Sequence, residues 1–424
     1  MSEKYYPRLD ERLYKSMLPN GLTVLLAPRP GFTKKLAYFV TDFGSIHTDF
    51  TLDGQEYSAP AGVAHYLEHK MFDMPDNRDV SAEFAALGAN VNAFTSYDMT
   101  AYYFSCTEHF EESLRLLLEF VSTPYFTEES VQKEQGIIGQ EIGMNEDSPD
   151  TRVFENLTRA MYREHQIRVP ILGTVPTIAG ITPEILRACH SAFYTPGNMV
   201  LCVVGDVKPE AVEAIARQVL GDEKRPVGQK LRPWREEMTC PAKYVRLELE
   251  VSMPTFQLGF KCEPPGAGEA AIRQEFVGDL AAEALFGESS ALYLRLYEEG
   301  LIDSSFGGGF ETVDGMAMLT ASGDSDSAEA VRDAILAQAK LLSGQGIGET
   351  DFLRLKRSAM GRRIRELDSF DGTCFRLCAY HFSGVDYYDF PGIYADVTEP
   401  EIREFLARVV AQTRCALSVV EPTG

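Results

Sequence analysis

The sequence lacks any run of apolar residues long enough to cross a membrane. A transmembrane helix needs about 20 consecutive apolar residues, and no stretch of the 424-residue chain approaches that length. Residues 1–18 carry charges throughout and contain no continuous apolar segment, unlike a secretory signal peptide. We therefore expect a cytoplasmic protein with no membrane role.

Basic residues are in the minority. The chain has 40 lysines and arginines against 63 aspartates and glutamates, which gives a formal net charge of -23. Such a surface repels phosphate backbones and anionic lipid headgroups, so we expect no nucleic-acid partner. The excess of acid mainly serves solubility in this interpretation; an acidic interior that attracts basic peptides is the alternative.

Closely spaced cysteine pairs of the Cys-x-x-Cys type are also missing. The eight cysteines are scattered at positions 106, 189, 202, 240, 262, 374, 378 and 415. This distribution is typical of buried free thiols in a reducing compartment rather than of a disulfide framework. Cys374 and Cys378 lie one helical turn apart, but no second pair is near them in sequence, so we predict two core cysteines there and not a metal site.

The length of the chain exceeds one ordinary core and predicts two large domains or several small ones. Two patterns recur within it. Residues 181–207 resemble residues 397–422, each with a threonine, a Pro-Glu-Ile sequence, a helix and a final strand, and residues 126–156 parallel residues 347–377. Repetition at this spacing indicates duplication of a domain rather than a solenoid.

A charged segment with two prolines and little periodicity, 221–238, is the predicted linker. It divides the chain into predicted domains 1–220 and 239–424. Helices and strands are mixed without strict alternation, so the predicted fold class is α+β, with helices packed on a largely antiparallel sheet in each domain. The strand-like runs are 22–28, 35–45, 199–207, 243–252, 255–262 and 415–422.

Histidine is scarce, with seven in the chain, yet two lie in one short motif within 61–72. Apolar residues at i, i+4 and i+8 predict a helix there. His65, Glu68 and His69 form an adjacent stripe, so both imidazoles can reach a single ion with the carboxylate nearby. The alternative is a pair of surface histidines on an amphipathic helix, and the apolar stripe counts against it.

Zinc suits this set of side chains, because it accepts imidazole nitrogen and carboxylate oxygen. A catalytic zinc has three protein ligands and one open position. His65 and His69 supply two ligands, and Glu68 is free to take a proton from the attacking water. The His-x-x-Glu-His order is the inverzincin signature.

A third ligand is expected on another helix, predicted over 127–149 with Thr127 as its N-cap. Glu134 and Glu141 share one face of it, because seven residues complete about two turns. Glu141 is the predicted third ligand, since isoleucines flank it, and Glu134 is predicted to orient the ligands or tune their charge. A solvated helix face is the alternative for either glutamate.

Together these motifs resemble the pitrilysin/insulinase family of metallopeptidases (peptidase family M16). NGLTVLLAP at 20–28 resembles the family's first strand, and ALGANVNAFTSYDMTAYYF at 86–104 resembles its Gly-x-x-x-Asn-Ala-x-Thr hairpin. The resemblance implies two related domains of the mitochondrial-processing-peptidase and LuxS-like type that form half of a clamshell around a closed chamber.

The resemblance also implies roles for individual residues. His65, His69 and Glu141 would bind one zinc ion, Glu68 would be the catalytic base, and Glu134 would be the second glutamate of the catalytic helix. The spacer 70–140 is a few residues shorter than is usual for the family, which predicts a shortened loop. The residues of the edge strand along which a substrate backbone would lie are Asn92, Ala93, Phe94 and Thr95.

One departure from the family concerns the second half of the chain. Small members carry an Arg and a Tyr seven residues apart that polarise the scissile carbonyl, whereas the aligned stretch 295–306 places Tyr297 and Asp303 there. An aspartate would repel a developing oxyanion. We therefore expect a zinc-bearing subunit that pairs with a family companion supplying the Arg/Tyr pair.

The expected function is that of a zinc endopeptidase that hydrolyses short or unfolded peptides. Two alternatives stay open. One is a non-proteolytic accessory or scaffold of the same family, for example linked to modification of elongation factor P. The other is a helical metal-dependent hydrolase of a different fold, which the resemblance of the flanking strands disfavours.

Overall fold

The computed structural model describes residues 1–75, 78–232 and 234–423. The chain folds into two compact units, each assembled from three segments. The first unit contains Met1–Ile142, Pro170–Arg232 and Ile364–Asp389. The segments of the second are Gly143–Val169, Pro233–Arg363 and Phe390–Gly424.

The secondary structure is mixed along the whole chain. The strands are β1 Ser2–Tyr6, β2 Glu11–Met17, β3 Thr23–Pro28, β4 Lys35–Thr41, β5 Asp49–Leu52, β6 Gln55–Ser58, β7 Asn90–Thr95, β8 Thr100–Cys106, β9 Met199–Gly205, β10 Gln229–Lys230, β11 Tyr244–Leu249, β12 Thr255–Cys262, β13 Gly307–Val313, β14 Met316–Asp324 and β15 Cys415–Pro422. The helices are α1 Val63–Lys70, α2 Val80–Ala86, α3 Phe110–Ser122, α4 Glu128–Glu146, α5 Pro149–Met161, α6 Val175–Ile178, α7 Pro183–Phe193, α8 Pro209–Leu220, α9 Glu269–Phe286, α10 Ala291–Glu298, α11 Ala328–Gln345, α12 Glu349–Glu366, α13 Phe370–Phe382, α14 Phe390–Ala395 and α15 Glu399–Val409.

The first unit is built on a mostly antiparallel sheet. Its described residues form seven strands in the order β1-β2-β3-β9-β4-β8-β7 and a small sheet in the order β10-β5-β6. Only the β3–β9 pairing is parallel among these described strands. The strands β3, β9 and β4 are almost wholly buried, as expected for apolar strands covered on both faces. The strand β7 lies at one edge.

The two faces of this sheet carry different helices. Phe39 of β4 belongs to the same core as Val63 of α1 and Leu117 of α3. The preceding residue, Tyr38, points to the opposite face, because side chains alternate along a strand, and it pairs in register with Cys202 of β9. On that face α13 packs on β9 and β4.

The second unit has a five-stranded sheet in its described part, in the order β11-β15-β12-β14-β13. The β11–β15 pairing is parallel and the others are antiparallel. The helix α5 packs on β15, β12 and β11. A Cβ at Gly259 of β12 would collide with the sulfur of Met161, so the glycine permits the close approach of α5 to the sheet.

The predicted α+β class with two such sheets is confirmed. The exchange of helices was not predicted: α5 comes from the first half of the chain but belongs to the second unit, and α13 comes from the second half but belongs to the first. Each compact unit takes segments from both sides of 221–238. The predicted linker therefore stays a prediction of where the two sequence repeats join.

Two residues of the predicted linker form ion pairs with other parts of the chain. Lys230 of β10 forms an ion pair with Asp42 of the first unit, with Nζ and Oδ1 2.6 Å apart. In the second unit, one oxygen of Glu236 accepts hydrogen bonds from three consecutive main-chain N–H groups, beginning with that of Arg163, and the other lies 2.6 Å from Nζ of Lys261. Burial raises the pKa of Glu236, but Lys261 and these donors outweigh it and hold the pKa at about 2.

The eight cysteines are all free, and all but Cys240 are buried. The prediction of core cysteines at Cys374 and Cys378 is confirmed, because both lie on the buried side of α13. Among the helices of the described residues, none combines the length and the apolar character that crossing a bilayer requires.

Candidate metal centre

The histidines lie on α1, a short helix whose start is fixed by a glycine. Gly62 has φ +92°, and a Cβ there would collide with the main-chain oxygen of Leu172. Only glycine meets both demands without strain. The predicted apolar stripe is confirmed, since Val63 and Leu67 are fully buried. The stripe therefore anchors α1 in the core, with His65, also buried, and His69 on an adjacent face.

The structure brings both histidines to Glu141 of α4. Nε2 of His65 lies 3.6 Å from Oε1 of Glu141, and Nε2 of His69 lies 3.7 Å from Oε2. One potential ligand atom from each residue lies within 4.8 Å of the others, and no other group of this kind occurs in the described part of the chain. Ligands at the usual zinc distances in a tetrahedron are about 3.4 Å apart. The spacing therefore fits an ion held between the three side chains, despite the short spacer before Glu141.

Glu134 contacts the outer nitrogen of His69. Its Oε1 lies 3.0 Å from Nδ1 of His69, which leaves Nε2 directed toward Glu141. Burial lowers the pKa of His69, but the hydrogen bond to Glu134 and the nearby carboxylates outweigh it and raise the pKa. Metal-binding histidines usually have such a carboxylate partner. For His65, Nδ1 is buried with no hydrogen-bond partner among the described residues.

The two glutamates of α4 are anionic beside the histidines. The nearby imidazole of His65 lowers the pKa of Glu141, and burial opposes it only in part. Burial raises the pKa of Glu134, but the contact with His69 outweighs it and leaves the pKa lowered. An anionic carboxylate and two imidazoles form a donor set suited to a divalent cation.

Glu68 lies on α1 between the histidines and is 9% exposed. Oγ1 of Thr95 donates a hydrogen bond of 2.6 Å to Oε2 of Glu68. Burial raises the pKa of Glu68, and the Thr95 hydrogen bond and the two histidines oppose the rise in part. A carboxylate whose pKa is raised toward neutrality is suited to accept a proton and then release it.

The predicted substrate strand is β7. It ends the seven-stranded sheet, and the described residues pair with it on one side only, through β8. Thr95 faces α1, whereas Asn92 and Phe94 point to the opposite face by strand alternation. Asn92 is exposed, and its Oδ1 accepts a hydrogen bond of 2.9 Å from the N–H of Ala93. The strand therefore offers a free main-chain edge next to Glu68.

The two residues that depart from the family's Arg/Tyr pattern, Tyr297 and Asp303, lie near the end of α10. Tyr297 is 55% exposed and stacks on Tyr293 with ring centres 5.9 Å apart. Asp303 accepts hydrogen bonds from the N–H and the hydroxyl of Ser305, and these lower its pKa. Asp303 is therefore an anion that caps a turn.

Two buried residues of α1 were missed from the sequence. Lys70 has a side chain only 1% exposed, and Tyr66 is fully buried. Lys70 follows Val63 by seven residues, so it falls on the apolar stripe of the helix. A lysine at a position where the pattern expects an apolar residue was the available signal.

Comparisons with known proteins identify the family of this chain. A model described as "Insulinase (Peptidase family M16)" matches residues 54–175, and one described as "Peptidase M16 inactive domain" matches residues 180–359. A relative from Bacillus subtilis (strain 168) is 36% identical over 428 residues, covering 98% of each chain. The chain therefore belongs to peptidase family M16, and the predicted family resemblance is confirmed.

The particular relatives sharpen this placement. The Bacillus subtilis protein is named "Uncharacterized zinc protease YmfH". A solved structure described as a putative M16-like peptidase from Alicyclobacillus acidocaldarius is 33% identical, with a TM-score of 0.93 over 97% of this chain and 99% of that one. A protease from Helicobacter pylori has a TM-score of 0.84 over 97% of this chain and all of that one; at 20% identity it shows the fold alone.

Proposed function

We propose that this protein is a zinc endopeptidase whose metal is held by His65, His69 and Glu141. The observation that carries the proposal is the convergence of two imidazoles and a carboxylate from α1 and α4 within 4.8 Å, next to a buried Glu68. When bound there, zinc supplies a Lewis acid that polarises a peptide carbonyl and makes water more acidic.

Glu68 is the proposed general base. It would accept a proton from the attacking water as the water oxygen adds to the carbonyl carbon, and pass that proton to the leaving nitrogen as the C–N bond breaks. Thr95 would hold one carboxylate oxygen of Glu68, which leaves the other oxygen for the reaction. Glu134 would keep the ring of His69 in place through Nδ1.

The edge strand β7 is the proposed binding site for the substrate main chain. An extended peptide that adds to this edge forms main-chain hydrogen bonds regardless of its sequence, and pockets for alternate side chains give preference. Short or unfolded peptides have main-chain groups free to form these hydrogen bonds, which supports them as substrates. Asn92 would contact the added chain at the edge.

The proposal includes a companion subunit. Its support is Asp303, an anion at a place where a carbonyl-polarising group is expected. A family partner would supply the Arg/Tyr pair, as the resemblance implies. The zinc-loaded protein should then cleave peptides weakly or not at all alone and gain activity when mixed with such a companion; full activity as a homodimer would contradict this.

The decisive experiment is cleavage of a mixed peptide library, with and without a candidate companion, by the wild-type protein and by Glu68→Gln. We expect Glu68→Gln to bind zinc normally and to lose cleavage, because its amide cannot accept the proton. The matched control, Glu56→Gln, changes an exposed glutamate of β6 and should cleave at the wild-type rate. Cleavage by Glu68→Gln at that rate would contradict the assignment.

A non-proteolytic accessory role is the second candidate, and the same departure at Asp303 favours it. A scaffold needs no metal, whereas the peptidase requires it. A chain that keeps its fold but neither carries nor binds zinc would favour the accessory role.

A further inference from the structure

The last residue of α1, Lys70, is a buried cation with three oxygen neighbours. Its Nζ contacts the carboxylate of Asp73, lies 3.3 Å from the main-chain oxygen of Ser130, and lies 3.8 Å from Oε2 of Glu134. A lysine ammonium is almost never fully buried without partners, because desolvation is costly. Two of these oxygens belong to α4, the helix that carries the candidate ligands.

A second side chain of α1 reaches the same part of α4. Tyr66 precedes Lys70 by one helical turn, and its hydroxyl donates a hydrogen bond to the main-chain oxygen of Val131. The two side chains therefore contact consecutive carbonyl groups, at Ser130 and Val131, in the first turn of α4. Glu134 lies one turn further along α4, and Glu141 two turns beyond that.

The helix α4 depends on contacts at its start, because its own sequence favours a helix only weakly and few of its side chains are buried. Its interior contains Gly136, Gly139 and Gly143, and a Cβ at any of them would meet open space. Each glycine costs about 1 kcal/mol relative to alanine in a helix interior. The buried side chains of α4 are limited, among the described residues, to Val131, Ile138 and Ile142.

We propose that Tyr66 and Lys70 are positioning residues that fix the start of α4 against α1 and so set the placement of Glu134 and Glu141 opposite the histidines. The inference rests on the proposed function, since it concerns the same zinc site. Neither residue contacts the position of the ion; both act through α4.

The test is the zinc affinity of the full chain, measured by competition with a chromophoric chelator. Loss of residues that orient metal ligands typically weakens binding about 10–100-fold, and we expect a loss in that range for Lys70→Met. The conservative variant Tyr66→Phe, which loses one hydrogen bond, should bind about fivefold more weakly. If Lys70→Met fails to fold, Tyr66→Phe decides, and wild-type affinity in it overturns the proposal.

A matched control separates positioning from the general cost of removing a buried lysine. Lys261 of the second unit is also 1% exposed and lies 2.6 Å from Glu236. Lys261→Met should lower the thermal unfolding midpoint but leave zinc affinity unchanged. If the wild type binds zinc and Lys70→Met binds it with equal affinity, this inference alone is overturned. If the wild type binds no zinc, the proposed function is overturned as well.

A double-mutant cycle tests whether Lys70 acts through α4. If it does, adding Lys70→Met to Glu134→Gln should weaken zinc binding by no more than about threefold, because coupled residues are not additive. Losses that multiply in full would show that Lys70 does not act through Glu134, and would overturn the placement of Glu134 by Lys70. The absorption spectrum of the cobalt-substituted protein should also change in Lys70→Met but not in Lys261→Met.

Discussion

Thr95 donates a 2.6 Å hydrogen bond from its hydroxyl to the carboxylate of Glu68. This contact joins the edge strand β7 to the helix α1. The proposed substrate strand and the proposed general base are therefore held at a fixed distance. A peptide that adds to β7 would lie beside the carboxylate that accepts a proton from the attacking water.

Replacing Thr95 with valine should shift the pH dependence of catalysis. The Thr95 hydrogen bond stabilises the carboxylate and lowers the pKa of Glu68, against the raising effect of burial. In Thr95→Val the pKa rises further, so less of Glu68 is ionised at a given acidic pH. The acid limb of the kcat/KM profile should move to higher pH.

Thr100→Val is the control for that measurement. Thr100 pairs with Thr95 across the hairpin and is buried, but its hydroxyl donates to the main-chain oxygen of Phe43. Its substitution should leave the acid limb in place. An unchanged limb in Thr95→Val would show that Glu68 does not govern the reaction.

Glu134→Gln should weaken zinc binding without removing a ligand. The substitution replaces a charged acceptor for Nδ1 of His69 with a neutral one, and such changes cost about 10–100-fold in metal affinity. Glu129→Gln, an exposed position on the same helix, is the control. Equal zinc affinity in both variants would remove Glu134 from the site.

Asn92→Ala should affect substrate binding rather than the metal. Loss of a hydrogen bond of about 1 kcal/mol predicts a roughly fivefold higher KM, with kcat and zinc content unchanged. Asn90→Ala, an exposed position on the same face of β7, should raise KM less because it lies further from Thr95. A lower kcat with an unchanged KM would contradict a role in main-chain binding.

Much of the site was predictable because it is encoded locally. The spacing of His65, Glu68 and His69 on one helix follows from helical periodicity alone. The helix that carries Glu141 has the predicted start, since Oγ1 of Thr127 accepts a hydrogen bond of 3.1 Å from the N–H of Ser130. It ends at Glu146, within the predicted range 127–149, and Ser148 caps the next helix, α5.

Long-range features were not predictable from the same patterns. The apolar face of α5 would suit either sheet, so periodicity does not show that it packs on the second unit. Likewise, the sequence places Lys70 on an apolar stripe but does not reveal Ser130 and Glu134, which are 60 or more residues away. The contact between Thr95 and Glu68 depends on the pairing of β7 at the sheet edge.

Zinc titration of the wild-type protein and of Glu141→Gln, with Glu129→Gln as control, tests the account most directly. The wild type and the control should each bind one zinc ion per chain, and Glu141→Gln should bind it at least about 10-fold more weakly, since one of three protein ligands is lost. Equal affinity in all three proteins, or no zinc bound by the wild type, would contradict a metal centre formed by His65, His69 and Glu141.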